Sequence, residues 1–358
     1  MPTAHEIRRC LGNWFAIARN RLRRRTYAPH PRRAIFVETS ARCNLACRFC
    51  AYEQTGPGML MTTDFFRDTL RQIVALGFDF VWLTPMLGEA FADPGLFDKF
   101  ELLEREPRIR GYGFYSNFIL PRVEQIAVLP GLAKFHDLHV SLYGFDSESF
   151  ETTTRKPSKQ FERLHDNLRA LFDATAAWRP ACGISFHFRT VSDATPIMQR
   201  QTPFVALIRR FQDERGARIG ESGEYDSWAG SITDADVAPL GIELTDGRHI
   251  YMYGACYKVF GEVQIKADGT VHACACRDTD GSLRIGHLKS KPLARILSWD
   301  NPAYRRLIKD QMQGKFGANC RACSAYRSVF DDRPSRLDPR FEVMAVEDAV
   351  TILKSDPT

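Results

Sequence analysis

From residue 34 onward the chain alternates short apolar runs with amphipathic stretches, and it does so six times. The apolar runs fall at 34–38, 80–83, 112–115, 138–142, 184–188 and 217–220. Between them, apolar residues recurring at spacings of three and four mark helices at 63–76, 96–105, 160–176 and 202–215. Strand-then-helix units in series predict an α/β fold around a parallel sheet, closed or partly closed. In such a fold the chemistry sits on the loops that follow the strands.

The pattern changes after about residue 235. The segments 260–266 and 271–273 alternate apolar and polar residues around Asp268-Gly269, a hairpin signal. The stretch 291–312 then reads as one helix, with Pro292 near its start. These changes divide the chain into an N-terminal helix (1–33), a sheet domain (34–235), a smaller domain (236–340) and a short helical tail (341–358). A hydrophobic fraction of 44% over 358 residues allows a substantial core. No run of about eighteen apolar residues exists to cross a membrane, and the N-terminus lacks a secretory pattern. A reducing cytoplasm is the expected location, where ten cysteines read as thiolate ligands before disulfides.

The net charge of +6 is concentrated near the start, in Arg8, Arg9, Arg19, Arg21, Arg23, Arg24, Arg25, Arg32 and Arg33. Leu11, Trp14, Phe15, Ile17 and Leu22 interleave with them, which makes a basic amphipathic helix. Such a helix either packs on the sheet domain with a solvated basic face or meets an anionic partner, a phosphorylated substrate or a membrane surface. Nothing in the sequence resembles a nucleic-acid-binding module.

Cys43, Cys47 and Cys50 follow the first strand in Cys-Asn-Leu-Ala-Cys-Arg-Phe-Cys. Three thiolates on one loop can meet three corners of a [4Fe–4S] cubane, which takes four ligands. One iron is then left for an exogenous ligand. A zinc site or buried thiols are the alternatives. The spacing C-x3-C-x2-C, with Phe49 before the third cysteine, resembles the signature of the radical S-adenosylmethionine (SAM) superfamily. That resemblance implies a partial (β/α)6 TIM-like barrel in which SAM chelates the open iron and is cleaved to a 5′-deoxyadenosyl radical. It further implies a reducing partner such as flavodoxin or ferredoxin. Gly88-Glu89 resembles the family's Gly-Gly-Glu-Pro motif, with Leu87 and Ala90 as departures. Ser116-Asn117 resembles the Thr-Asn-Gly segment near the SAM ribose. Ser141 matches the Ser-Leu-Asp-Gly pattern, whose Asp is Tyr143 here. Arg189, at the end of the fifth strand, is placed to take the SAM carboxylate by a two-point contact.

Farther on, Cys256 and Cys274 flank Gly269, and Cys320 and Cys323 form a C-x2-C pair. A four-cysteine zinc ribbon uses the same ligands. The order and spacing resemble the shortened SPASM module called a twitch domain, which implies one auxiliary [4Fe–4S] cluster held by these four cysteines.

Enzymes of this layout resemble two classes. One oxidises a carbon bearing a hydroxyl, as aminocyclitol dehydrogenases and anaerobic sulfatase-maturating enzymes do. The other inverts a carbon centre in a sugar or peptide, with a cysteine thiol returning the hydrogen atom. A small-molecule substrate is expected, a sugar, an aminocyclitol or a glycosylated intermediate, anionic or phosphorylated ones among them. Of the remaining cysteines, Cys10 and Cys182 read as small buried hydrophobes. Cys276, two residues past a cluster ligand, is the candidate hydrogen donor or spare ligand. Asp226 and Trp228, after the sixth strand, are candidates for substrate hydroxyls and ring stacking, with an N-cap and a packed indole as the plain alternative. His187, Glu38 and Tyr52 are similarly placed. A reading of another class is an iron–sulfur sensor or scaffold that binds SAM without turnover.

Overall fold

Eleven strands are formed among the described residues of the computed structural model, which are 4–52, 58–84, 86–177, 183–191, 193–223, 225–245, 252–278, 280–332 and 342–355. In chain order they are β1 (Ala28–Pro29), β2 (Ala34–Val37), β3 (Phe80–Trp82), β4 (Gly111–Ser116), β5 (Phe135–Leu142) and β6 (Gly183–Phe188). Then follow β7 (Arg218–Glu221), β8 (Gln264–Ile265), β9 (Thr270–His272), β10 (Arg284–His287) and β11 (Val343–Met344). Strands β2 to β7 are the six expected ones, and they pair in parallel in sequence order.

The helices between them bury one apolar stripe each. Thr63–Ala75 starts where the Thr62 hydroxyl accepts the Phe65 N–H, and Pro203–Arg215 starts likewise on Thr202. The outward residues of the strands (Ile35, Val81, Phe114, Leu138, Val140, Ile184 and Phe186) are buried under these helices. The alternate residues turn inward, where Ala34, Phe36, Phe80, Trp82 and Tyr115 make a separate apolar cluster. A parallel sheet covered on its outer face and curled around its inner one is the partial (β/α)6 barrel that the sequence predicts.

The expected hairpin forms between β8 and β9, with Gly269 at φ +92° in its turn. It does not stand apart from the barrel. Strand β8 adds in parallel to β2, with Phe36 opposite Gln264, and β9 and β10 continue antiparallel. One nine-stranded sheet therefore runs from the barrel into the smaller domain.

The single helix expected over 291–312 is two, Leu293–Ile296 and Pro302–Met312. Pro302 cannot donate back into a preceding turn, and Asn301 caps the second helix by accepting the Ala303 N–H. The N-terminal helix covers Ala4–Leu22, and Arg23, Arg24 and Arg25 follow its end. After it, β1 pairs antiparallel with β11 ahead of the tail helix Val346–Lys354. No described helix is long and apolar enough to cross a membrane. Cys182 lies outside the described residues, as does the side chain of Cys10.

Candidate active site

The loop after β2 is fastened by backbone contacts to the end of the helix Ser147–Thr154. Ala46 N–H donates to the Thr154 carbonyl at 3.2 Å and Arg48 N–H to the Thr153 carbonyl at 3.0 Å. The Arg155 guanidinium donates back to the Ala46 carbonyl at 2.8 Å. The loop is thus held over the carboxyl ends of the strands, with Cys43 and Cys50 half-buried and Cys47 buried. Cys43 N–H is held by the Tyr52 hydroxyl at 2.8 Å. The Cys43 sulfur accepts the Leu45 N–H at 3.4 Å and lies 3.9 Å from the Asn117 amide nitrogen.

Burial, with the Glu89 carboxylate second, pushes the Cys43 thiol up to about 12. Burial and the neighbouring thiols also raise Cys47, although Arg189 and Arg155 pull the other way. Sulfurs so placed become thiolates by binding metal, because the chain itself supplies too little positive charge. Among the described residues no three Cys, His, Asp or Glu side chains are close enough to share one metal ion. A cubane does not ask that of them, since each of its thiolates binds a separate iron.

Below the loop lies one cavity of about 1150 Å³, bounded by the inward residues of β2 to β7. That exceeds the ~300–1,000 Å³ of ordinary small-molecule pockets and leaves room for two molecules side by side. Phe49, Gly88, Glu89, Ser116, Asn117, Ser141 and Arg189 all line it. Phe49 is packed between Tyr225, at 4.5 Å between ring centroids, and Tyr143, at 5.8 Å. Gly88 has φ +148°, and a Cβ there would stand 2.5 Å from the Ser40 carbonyl oxygen, so the close approach needs glycine.

Glu89 is buried and already engaged. Its carboxylate accepts the Ser116 hydroxyl at 2.6 Å, the Asn117 N–H at 2.7 Å and the Phe91 N–H at 3.2 Å. Burial raises its pKa, and these bonds offset part of the rise. Arg189 differs, because its buried Nε has no hydrogen-bond partner among the described residues. Arg189 also lines the cavity, and a guanidinium there fits a carboxylate ligand.

The inward face also brings His139 and His187 together, with Nδ1 of the first 3.1 Å from Nε2 of the second. Tyr115 stacks on His139 at 4.2 Å. Burial, then Arg189 and Arg218, lower His187 to about 4. Room for its ring comes from Gly220, where a Cβ would stand 2.6 Å from His187 Nδ1.

On the far wall are Ala275, Cys276 and Arg277. Cys276 is half-buried, and its N–H donates to the Cys274 sulfur at 3.4 Å. Ala325 N–H does the same to Cys323 at 3.3 Å. Gln311, buried in the helix Pro302–Met312, accepts the Cys256 N–H at 2.9 Å and points its amide at the Cys320 sulfur, 3.6 Å away. Hydrogen bonds to ligand sulfurs are one of the means by which a protein sets a cluster's potential. Burial raises Cys256, Cys274 and Cys323 and carries Cys320 to about 12.

Asp226 does not line the cavity, contrary to its expected catalytic place. Both of its oxygens face the Arg277 Nε at 3.0 and 3.1 Å. One oxygen also accepts the Ser324 N–H and hydroxyl, each at 2.8 Å, and the other the Trp228 N–H at 3.2 Å. Burial would raise this carboxyl, but Arg277 and Ser324 outweigh it and hold the group below its ordinary range. Asp226 is a positioning residue that ties the barrel to the C-x2-C turn. Trp228, unlike Asp226, lines the cavity; its indole N–H donates to the Phe49 carbonyl at 3.1 Å and Arg277 covers its ring at 4.4 Å.

Several lining residues escaped the sequence reading. Lys258 and Glu262 form a pair at 2.6 and 2.7 Å on the cavity wall. Tyr115 and His139, also on that wall, carry no spacing signal beyond the inward parity of β4 and β5, and Gln311, which touches Cys256 and Cys320 outside the lining, carries none. Glu38 is buried, accepting the Ala267 N–H at 3.3 Å, and burial raises its pKa.

Residues 37–193 match the profile of the radical SAM superfamily, and residues 256–324 match that of an iron–sulfur cluster-binding domain, SPASM. No curated protein matches the chain. Among solved structures, BtrN in complex with AdoMet and 2-DOIA is similar over 84% of this chain and 95% of its own, at 14% identity and TM-score 0.51. Streptococcus suis SuiB bound to the precursor peptide SuiA is similar over 88% of this chain and 75% of its own, at 14% identity and TM-score 0.55. For anSMEcpe with bound AdoMet and the Kp18Cys peptide the shares are 89% and 95%, at 14% identity and TM-score 0.52. At such identities the likeness is one of fold.

Proposed function

Because the chain belongs to the radical SAM superfamily and carries a C-terminal SPASM-type domain, we propose that it oxidises a hydroxyl-bearing carbon of a sugar, aminocyclitol or glycosylated intermediate. Its cofactors follow from the two domains: SAM, the [4Fe–4S] cluster that binds it, and an auxiliary iron–sulfur cluster. Cys43, Cys47 and Cys50 hold the first cluster in this reading, and Cys256, Cys274, Cys320 and Cys323 the second. When bound, SAM supplies hydrogen-atom abstraction and the auxiliary cluster supplies an acceptor for one electron.

The observation that carries the oxidation is the extent of the cavity. Its wall runs from the Cys43–Cys50 loop to the Ala275–Arg277 segment beside Cys274, so a substrate inside lies between the two cluster sites. Arg189, on the cavity wall, would hold the SAM carboxylate. The His139–His187 pair would take the proton of the substrate hydroxyl; SAM, when bound, would supply the acceptor of the carbon's hydrogen atom and the auxiliary cluster the acceptor of one electron, which together account for CH–OH becoming C=O. His187, neutral at neutral pH, can accept that proton. A carboxylate facing Arg189 offsets one of the two positive charges that depress it, and so strengthens the base.

BtrN, solved with 2-DOIA, and SuiB and anSMEcpe, solved with peptides, share the fold equally well. The fold therefore does not choose the substrate. A second reading rests on Cys276, whose place on the cavity wall suits a thiol that returns a hydrogen atom in an epimerisation.

The test is to give reduced enzyme SAM with sugars and cyclitols deuterated at hydroxyl-bearing carbons. Oxidation transfers deuterium to 5′-deoxyadenosine and yields a product lighter by two hydrogens, at one SAM per product. Solvent deuterium on an inverted carbon, abolished by Cys276→Ala, would establish the epimerase instead. Absence of 5′-deoxyadenosine release under every condition would leave a SAM-binding sensor or scaffold. His187→Gln should lower oxidation by about 100-fold while SAM cleavage persists.

A further inference from the structure

The N-terminal helix packs on the molecule in an unexpected orientation. The described side chains it turns inward are Ile17 and Asn20, the latter donating to the Phe330 carbonyl at 2.9 Å. Arg21 lies over the Tyr253 ring at 4.1 Å, and Arg19 pairs with Asp332. The larger apolar residues face out: Trp14 is 42% exposed, Phe15 62% and Leu22 86%. At 100° per residue these three, with Ala18, fall within about a quarter of the helix circumference.

The chain around that stripe is predominantly cationic, with Asp332 on Arg19 and Glu347 on Thr26 as acidic neighbours. Arg19, Arg21, Arg23, Arg24 and Arg25 are exposed, and no acidic residue occurs between Glu6 and Glu38. A core-facing helix hides its aromatic residues and solvates its charges. This one presents both to the same side.

We infer that this face docks on an anionic lipid bilayer, with Phe15, Leu22 and Trp14 entering the headgroup boundary and the arginines meeting lipid phosphates. A basic helix with Trp, Phe and Leu on one stripe binds in the plane of such an interface, by apolar burial added to attraction for anionic lipid. A second copy of the chain is a poor occupant, because a two-fold contact through the stripe sets one arginine cluster against the other. The helix leads within a few residues to Pro29, His30 and Arg33, which line the cavity.

The experiment uses the full, cluster-loaded chain. It is sedimented with vesicles of phosphatidylcholine alone and with vesicles containing added phosphatidylglycerol. Binding is expected to the anionic vesicles, at least about tenfold stronger than to the neutral ones, and to release as salt approaches 1 M, where screening acts within about 3 Å. The variant Phe15→Ser/Leu22→Ser should bind at least about tenfold more weakly, with unchanged iron content and SAM cleavage. Equal binding to both vesicles, or none to either, overturns the proposal. So does a dimer in solution that the double variant converts to monomer, which would give the stripe to a second copy.

Discussion

Arg189 follows β6 with a buried Nε that meets no acceptor among the described residues. A planar two-point grip is lost when the guanidinium becomes an ammonium. Arg189→Lys is therefore expected to weaken SAM about tenfold with the cluster intact, as read by equilibrium dialysis; unchanged affinity would move Arg189 to the substrate or to structure. His187 makes a statement about pH. Folded, it stays neutral down to about 4, below the ordinary 6.5, so the unfolded chain binds the extra proton between those values. Its contribution to stability is whole above pH 6.5 and is lost as pH falls toward 4. Thermal melts of His187→Gln should show a flatter acid limb across that window. Sequence made Arg189 and His187 visible, because both lie at the end of a strand with inward parity. It could not place Asp226 for a physical reason: besides the local Trp228 N–H, the carboxylate meets Arg277 and Ser324, 51 and 98 residues away in sequence, and no local periodicity encodes such a meeting.

Strands and helices of the barrel were legible because burial on both sides of a strand, or on one stripe of a helix, leaves a local pattern. The interruption of 291–312 was harder to read. Leu293 to Met312 keeps a helical apolar period, so only Pro302 and its cap mark the break. Asn301 holds that corner, donating to the Ile285 carbonyl at 2.8 Å and the Ile296 carbonyl at 2.7 Å while it caps the helix that bears Gln311. Removing it leaves two buried carbonyls without a donor and the helix without a cap. Asn301→Ala is expected to cost about 2–3 kcal/mol in denaturant unfolding, and Asn301→Asp should recover the cap alone. A loss below about 0.5 kcal/mol would show that neither contact holds the corner.

At the scale of the molecule, seven cysteines fall into two groups: Cys43, Cys47 and Cys50 line the cavity, and Cys256, Cys274, Cys320 and Cys323 lie behind the Ala275–Arg277 segment of its wall. Anaerobic reconstitution should load about eight irons per chain, and changing Cys43, Cys47 and Cys50 to Ala should leave about half of them with no SAM cleavage. A wild-type chain that takes up only about four irons, or zinc in their place, would sink the two-cluster assignment. The joint between the two groups was not legible in the sequence, which set a hairpin beside the barrel. The chain instead seats β8 on β2, so the separation of the cluster sites is fixed by sheet hydrogen bonds.

That pairing also sets a timetable. One neighbour of β2 is made soon after it, but β8 leaves the ribosome more than two hundred residues later. At roughly 5–20 residues per second, this is a delay of roughly ten to fifty seconds. Throughout that interval the strand carrying the three-cysteine loop has a bare edge. That edge waits, unpaired, for a segment not yet translated.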